Sequence, residues 1–160
     1  MKHFALALTL PLAIATGATA DTKQEGRDLA ALSFESIDTA QRGYVDLGEI
    51  LGQRDAVFVS MDADDSGKIT EDEFTSWGYG FQTLAQDEDK ELAYLTALRV
   101  VFGFWDRNHD GNLTEAEHRK AVTTDFQRAD VNGDAILNAE EFFNGFSVMS
   151  AIRTALKPRS

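Results

Sequence analysis

Asp62-Ala63-Asp64-Asp65-Ser66-Gly67-Lys68-Ile69-Thr70-Glu71-Asp72-Glu73 decides how this chain folds. Oxygen-bearing side chains stand at its first, third and fifth places (Asp62, Asp64, Ser66), a glycine follows at the sixth, and a glutamate closes the run at the twelfth. The same order returns at Asp106, Asn108, Asp110, Gly111 and Glu117, and again at Asp130, Asn132, Asp134, Ala135 and Glu141. Alternate residues of a tight loop point at one centre, so each run offers a cage of oxygens and needs neither sulfur nor imidazole. A hard divalent cation asks for such a shell, about six to eight oxygens at roughly 2.3–2.6 Å. The seventh-place carbonyls of Lys68, Asn112 and Ile136 add an oxygen each, and the ninth-place residues Thr70, Thr114 and Asn138 contribute directly or through water. The glutamates supply both of their oxygens. Three carboxylates converge in every loop, so a bound metal removes a repulsion that the empty loop carries.

Phe58, Phe102 and Phe126 each precede a loop by four residues, and Ile69, Leu113 and Leu137 recur at the eighth place. Three runs in register with these flanks resemble the EF-hand superfamily, over nearly all of the chain after its N-terminal segment. The resemblance implies an all-α fold of helix-loop-helix motifs and calcium (Ca2+) as the ion, with short strands through the eighth-place residues that pair the loops. A fourth repeat, Asp38 to Glu49, keeps Phe34, Gly43, Val45 and Asp46 in register but has Ala40 at the third place and Arg42 at the fifth. Its shell is broken, and Arg42 is expected to stand in for the cation by pairing with Asp38 or Glu49. Three calcium sites are therefore expected, with the loop that starts at Asp38 empty. Ala135 stands where a left-handed backbone is needed, which costs a residue with a Cβ about 1 kcal/mol or more, so the loop 130–141 is expected to be the weakest of the three.

The loops start at Asp38, Asp62, Asp106 and Asp130, separations of 24, 44 and 24. Twelve residues between the loops of a close pair leave room for one helix only, shared by both hands, and residues 118–129 contain neither Gly nor Pro to break it. Such a helix of about 16 residues holds its two loops about 24 Å apart. The loop at 62 is therefore expected to pair with the loop at 106, and the loop at 38 with that at 130. The longer interval has room for a helix, a break at Gly78-Tyr79-Gly80, and a second helix with Asp87 as N-cap and Leu92, Leu95, Leu98, Phe102 and Trp105 on one stripe. The acidic run Asp87, Glu88, Asp89 and Glu91 reads as its first turn. One last helix is expected from Glu141 through Phe142, Phe143, Phe146 and Met149 to about Leu156, ahead of a frayed tail. Trp77 and Trp105 read as core residues. The whole is one compact domain over 21–160.

Residues 1–20 carry Lys2, an apolar run from Phe4 to Ala15, and Ala18-Thr19-Ala20 before Asp21. This reads as a signal peptide cut after Ala20, with a periplasmic or secreted destination. The apolar run is too short for a spanning helix, which needs about 20 predominantly apolar residues, and with no cysteine a lipid-modified N-terminus is excluded. Without Lys2 the chain has 14 basic against 27 acidic residues, a formal charge of −13, which disfavours nucleic acid and anionic membrane as partners. Its stability then rests on the core and the metal, not on disulfides.

No nucleophile–base constellation and no phosphate-binding glycine loop is present, and His109 and His118 read as bystanders to the loops. The expectation is a non-catalytic protein, a calcium buffer or metal-stabilised module. A calcium sensor that exposes apolar surface to a protein partner, or an accessory subunit of an enzyme, stays open. Few methionines, only Met61 and Met149 beyond the leader, favour the first. Arg42→Asp combined with Ala40→Asp is expected to create one more calcium site, read by calorimetry; no added uptake would show that the loop at 38 is closed by more than its arginine.

Overall fold

The computed structural model describes residues 17–157, and side chains over 24–157. Most of the expected leader, and the tail beyond Lys157, lie outside the described residues. Helix α1 (Gly17–Ile37) enters the first loop, whose strand β1 (Tyr44–Asp46) leads into α2 (Leu47–Met61). Strand β2 (Lys68–Thr70) and α3 (Glu71–Trp77) follow, then a 3-10 turn (Gly78–Gly80), α4 (Gln82–Asp87) and α5 (Glu91–Trp105). Strand β3 (Asn112–Thr114), α6 (Glu115–Ala129), β4 (Ile136–Asn138), α7 (Ala139–Gly145) and α8 (Ser147–Ala155) complete the chain. The fold is all-α with two small antiparallel ladders. None of the described helices is long and apolar enough to cross a membrane.

The loops pair as their spacing requires. β2 runs against β3 with Ile69 opposite Leu113, and β1 against β4 with Val45 opposite Leu137. All four side chains are 0 % exposed, so each ladder is fastened by one apolar pair closed off from water. The shared helices exist: α2 and α6 are 15 residues each, unbroken even at Gly52, and they pack on each other. Every loop launches its outgoing helix with a reciprocal capping box. The ninth-place side chain (Asp46, Thr70, Thr114, Asn138) accepts from the backbone N–H of the twelfth-place glutamate, whose carboxylate accepts in return from the ninth-place N–H.

Phe74 anchors the core, meeting Tyr79, Phe102 and Trp105 edge-on at centroid distances of 5.5, 5.6 and 5.6 Å. Phe34, Phe142 and Phe146 form a second aromatic group beneath the other ladder. Trp105 is buried, whereas Trp77 is half-buried and donates its indole N–H to Ser60 Oγ at 2.9 Å.

Two expected helices differ from those observed. Asp87 is not an N-cap; it ends α4, and Asp89 closes that helix in a left-handed conformation (φ 54°) with the Lys90 N–H bonded back to Ala85 O at 2.8 Å. α5 therefore starts at Glu91, the one acidic residue of its first turn, and buries Tyr94, Leu98, Val101, Phe102 and Trp105 while Leu92 faces solvent. The last helix is two helices, broken at Phe146 (ψ 130°). The break is fixed by Asp125 of α6, whose carboxylate accepts from the Ser147 N–H and hydroxyl, both at 2.8 Å, and so caps α8 from a distant part of the chain. A Cβ at Gly145 would collide with Ala129, so the end of α7 lies directly against the end of α6.

His118 is buried between Phe58 and Trp105, at ring distances of 5.6 and 5.4 Å, and its Nδ1 accepts from Arg54 Nε at 3.3 Å. Desolvation, then the charge of Arg54, push its pKa down to about 4, against a smaller pull from Asp55. The neutral ring is the form that the fold keeps. Its contribution to stability is full above the ordinary histidine pKa of about 6.5 and is lost as the pH falls from there towards 4, by up to about 3 kcal/mol. Denaturant unfolding of the wild type and His118→Gln between pH 7.5 and 4 checks this: the wild type loses stability over that window and the variant's curve is flatter.

Candidate metal centre

Asp62, at the C-terminal end of α2, turns its carboxylate into the loop, where Oδ1 accepts from Ser66 N at 2.9 Å and Oδ2 from Gly67 N at 2.8 Å. Asp64 Oδ1 accepts from the same Ser66 N–H at 3.1 Å. Glu73 reaches back across the loop, Oε1 accepting from Ala63 N at 3.0 Å and Oε2 from Thr70 N and Thr70 Oγ1, both at 2.8 Å. Asp62, Asp64 and Glu73 thereby bring one carboxylate oxygen each to within 4.8 Å of one another. Hydrogen bonds hold the charged forms: those from Ser66 keep Asp64, and those from Thr70 keep Glu73, below the usual carboxylate range. An all-oxygen donor set, charged and reachable from solvent, fits a hard divalent ion.

The loop at 106 uses the same scaffold. Asp106 accepts from Asp110 N (3.3 Å) and Gly111 N (2.9 Å), and Asn108 Oδ1 from Asp110 N (2.8 Å). Asp110, against a desolvation that works the other way, is lowered by bonds from Asn112 and by the charge of Lys68 across the ladder. At 130, Asp130 accepts from Gly133, Asp134 and Ala135 N–H groups at 2.8–3.1 Å, and Asn132 Oδ1 from Asp134 N at 2.9 Å. Asn112, Thr114 and Glu117, and likewise Ile136, Asn138 and Glu141, take their places in the strand and the capping box that follow. The amides Asn108 and Asn132 stand where the first of these loops has Asp64. Among the described residues only Asp62, Asp64 and Glu73 gather three carboxylates so closely.

In the loop at 38 the arginine pairs with Glu49, one of the two carboxylates expected, and gains Asp46 as a further partner. The Arg42 guanidinium pairs with Glu49 and reaches Asp46 at 3.4 Å, while Asp38 receives only backbone N–H groups, from Arg42 at 2.9 Å and Gly43 at 2.7 Å. The ring of Tyr44 lies 4.4 Å from the guanidinium carbon.

The sequence reading missed that the fourth place of each loop is left-handed too. Gln41, Asp65 and His109 have φ of 53°, 56° and 56°, and Gly133 has 74°. The third intact loop has moved its glycine from the sixth place to the fourth and leaves Ala135 at φ 66°. Each loop thus carries one non-glycine residue at positive φ, but alanine lacks the local hydrogen bonding by which Asp and its like tolerate it. The double duty of the ninth- and twelfth-place residues was also missed, although the S/T-x-x-E pattern at Thr70–Glu73 and Thr114–Glu117 spells it out.

Residues 54–76, from the middle of α2 through the loop at 62 almost to the end of α3, match the family model of the EF hand. Over that stretch the chain is similar to an EF hand. The match supports calcium binding in general, and a comparison with curated proteins gives no match. Ala135→Gly is expected to tighten calcium at 130–141 by several fold, the equivalent of about 1 kcal/mol. Calorimetry checks it, and a raised melting temperature at unchanged affinity would show that the empty loop bears the same strain.

Proposed function

We propose that the protein is an exported, non-catalytic calcium buffer or metal-stabilised module that holds three ions. The observation that carries this reading is the set of Asp62, Asp64 and Glu73 carboxylates within 4.8 Å of one another, with hydrogen bonds favouring the charged forms of Asp64 and Glu73, a repulsion that a cation relieves. The ion would be held by Asp62, Asp64, Ser66, the Lys68 carbonyl, Thr70 and Glu73. In the other two loops it would be held by Asp106, Asn108, Asp110, Asn112, Thr114 and Glu117, and by Asp130, Asn132, Asp134, Ile136, Asn138 and Glu141. Calcium supplies charge and cross-linking here, with no bond made or broken. Three ions would bring the leader-less charge from −13 to −7. The loop at 38 takes no ion because Arg42 already neutralises Glu49. Export rests on the leader-like residues 1–20 with cleavage after Ala20, and the absence of a catalytic role on a chain without cysteine whose His118 is buried and engaged by Arg54.

One observation favours a second reading, a sensor or an accessory subunit with a protein partner. Phe104 (77 % exposed), Val100 and Val131 stand around a groove of about 770 Å3 between α5, α6 and the last two helices.

Calorimetric titration of chelator-stripped residues 21–160 in about millimolar magnesium tests both. Three sites are expected, with Glu73→Gln, Glu117→Gln and Glu141→Gln each weakening one and Glu49→Gln none; fewer than three in the unaltered chain would remove a loop from the assignment. A module of this kind buries dye-binding surface when calcium is added, and a sensor exposes it.

A further inference from the structure

A pocket of about 170 Å3, open to solvent at one side, reaches into the core between α1, α2, α6 and α8. Ile50 and Arg54 of α2, His118 and Val122 of α6, and both tryptophans of the chain, Trp77 and Trp105, line it. The Arg54 side chain is 2 % exposed. Its Nη1 donates to Asp55 and, at 3.4 Å, to Glu115, two carboxylates that lie at the surface, and its Nε donates to His118. Nη2 is buried and has no partner. Tyr79 lines the same cavity, and its hydroxyl too is buried without a partner.

A desolvated guanidinium N–H without an acceptor is expensive to keep, and folds keep such groups where something outside the chain completes them. Arg54 can only donate. The Tyr79 hydroxyl can donate as well, so one group with two acceptor oxygens can receive from both. A carboxylate meets that condition, and its two oxygens suit the planar guanidinium. Size and lining supply the rest. Apolar cavities of about 150 Å3 take a benzene ring, and the walls here are mainly aliphatic and aromatic.

We propose that this cavity is a binding site for a small apolar monocarboxylic acid, its carboxylate accepting from Arg54 Nη2 and the Tyr79 hydroxyl and its hydrocarbon body lying among Ile50, Val122 and Trp105. The site is independent of the metal loops and stands whether or not the calcium assignment does.

Benzoate is the probe, and benzyl alcohol its uncharged counterpart, each titrated into the full chain by calorimetry at pH 7 with tryptophan fluorescence as the second readout. Benzoate is expected to saturate one site per chain, to change the fluorescence, and to bind at least about tenfold more tightly than benzyl alcohol. Arg54→Met is expected to weaken benzoate by about ten- to a hundredfold while sparing the alcohol. Tyr79→Phe removes a hydroxyl that bonds to nothing in the chain, so it keeps the fold where Arg54→Met fails to, and it is expected to weaken benzoate several-fold. Equal binding of the two probes, no binding of benzoate, or unaltered benzoate affinity in the Tyr79→Phe variant would overturn the proposal.

Discussion

Each loop of this protein ends on a carboxylate that belongs to two structures at once. Glu49, Glu73, Glu117 and Glu141 are the third residues of the helices that follow, where they accept from the N-cap backbone and sit at the positive end of the helix dipole. They also face back into the loop, as the Glu73 bond to the Ala63 N–H demonstrates. A ligand placed so is fixed by the start of a helix and not by a mobile side chain, so an ion that draws on it also draws on the helix. The eighth-place residue adds the other half of the constraint. With Ile69 against Leu113 and Val45 against Leu137, all sealed from water, a loop cannot tilt without opening an apolar pair shared with its partner.

The 24-residue spacing turns these local devices into a single body. α2 is both the exit of the loop at 38 and the entry to the loop at 62, and α6 does the same for 106 and 130. Ladders tie 62 to 106 and 38 to 130, so every loop is joined to one neighbour by a helix and to another by a strand. In the loop at 38 the Arg42–Glu49 pair spans the turn, and the β1–β4 ladder sets this loop against the one at 130. The two ladders are therefore unlike: one joins two acidic loops, the other an acidic loop to one that carries its own arginine.

Most of this was legible in the sequence because the loops are short, polar and subject to oxygen geometry at fixed places. The ladder pairing followed from counting residues, since twelve between loops admit one helix and no turn. The failures lie where a helix-ending turn or a long-range contact overrules the apolar pattern. Asp87 looked like an N-cap, yet the Asp89 turn and the Lys90 N–H bond to Ala85 O close the previous helix there. The ammonium of Lys90 then reaches Leu156 O at 2.9 Å, near the far end of the chain. Phe142, Phe146 and Met149 looked continuous because apolar spacing does not register a break whose cause, Asp125, lies 22 residues upstream. Nor could the pattern announce Arg54, a buried charge two of whose partners, His118 and Glu115, come from α6.

Asp125 shows what that break does. Burial pushes its pKa up, while Ser147 and Arg128 supply the bonds that keep its charge in place. Arg128 further binds Gly145 O and Ser147 Oγ, both at 2.8 Å, so the junction between α7 and α8 is held by α6 and not by helix continuity. α7 has seven residues and hangs from the loop at 130; α8 packs on α5, which enters the loop at 106. Phe146, extended and 8 % exposed between them, is the point at which α7 can follow its loop while α8 stays with the core. A continuous helix would have carried every displacement of that loop straight into the α5 interface, and the carboxylate buried at position 125 prevents it.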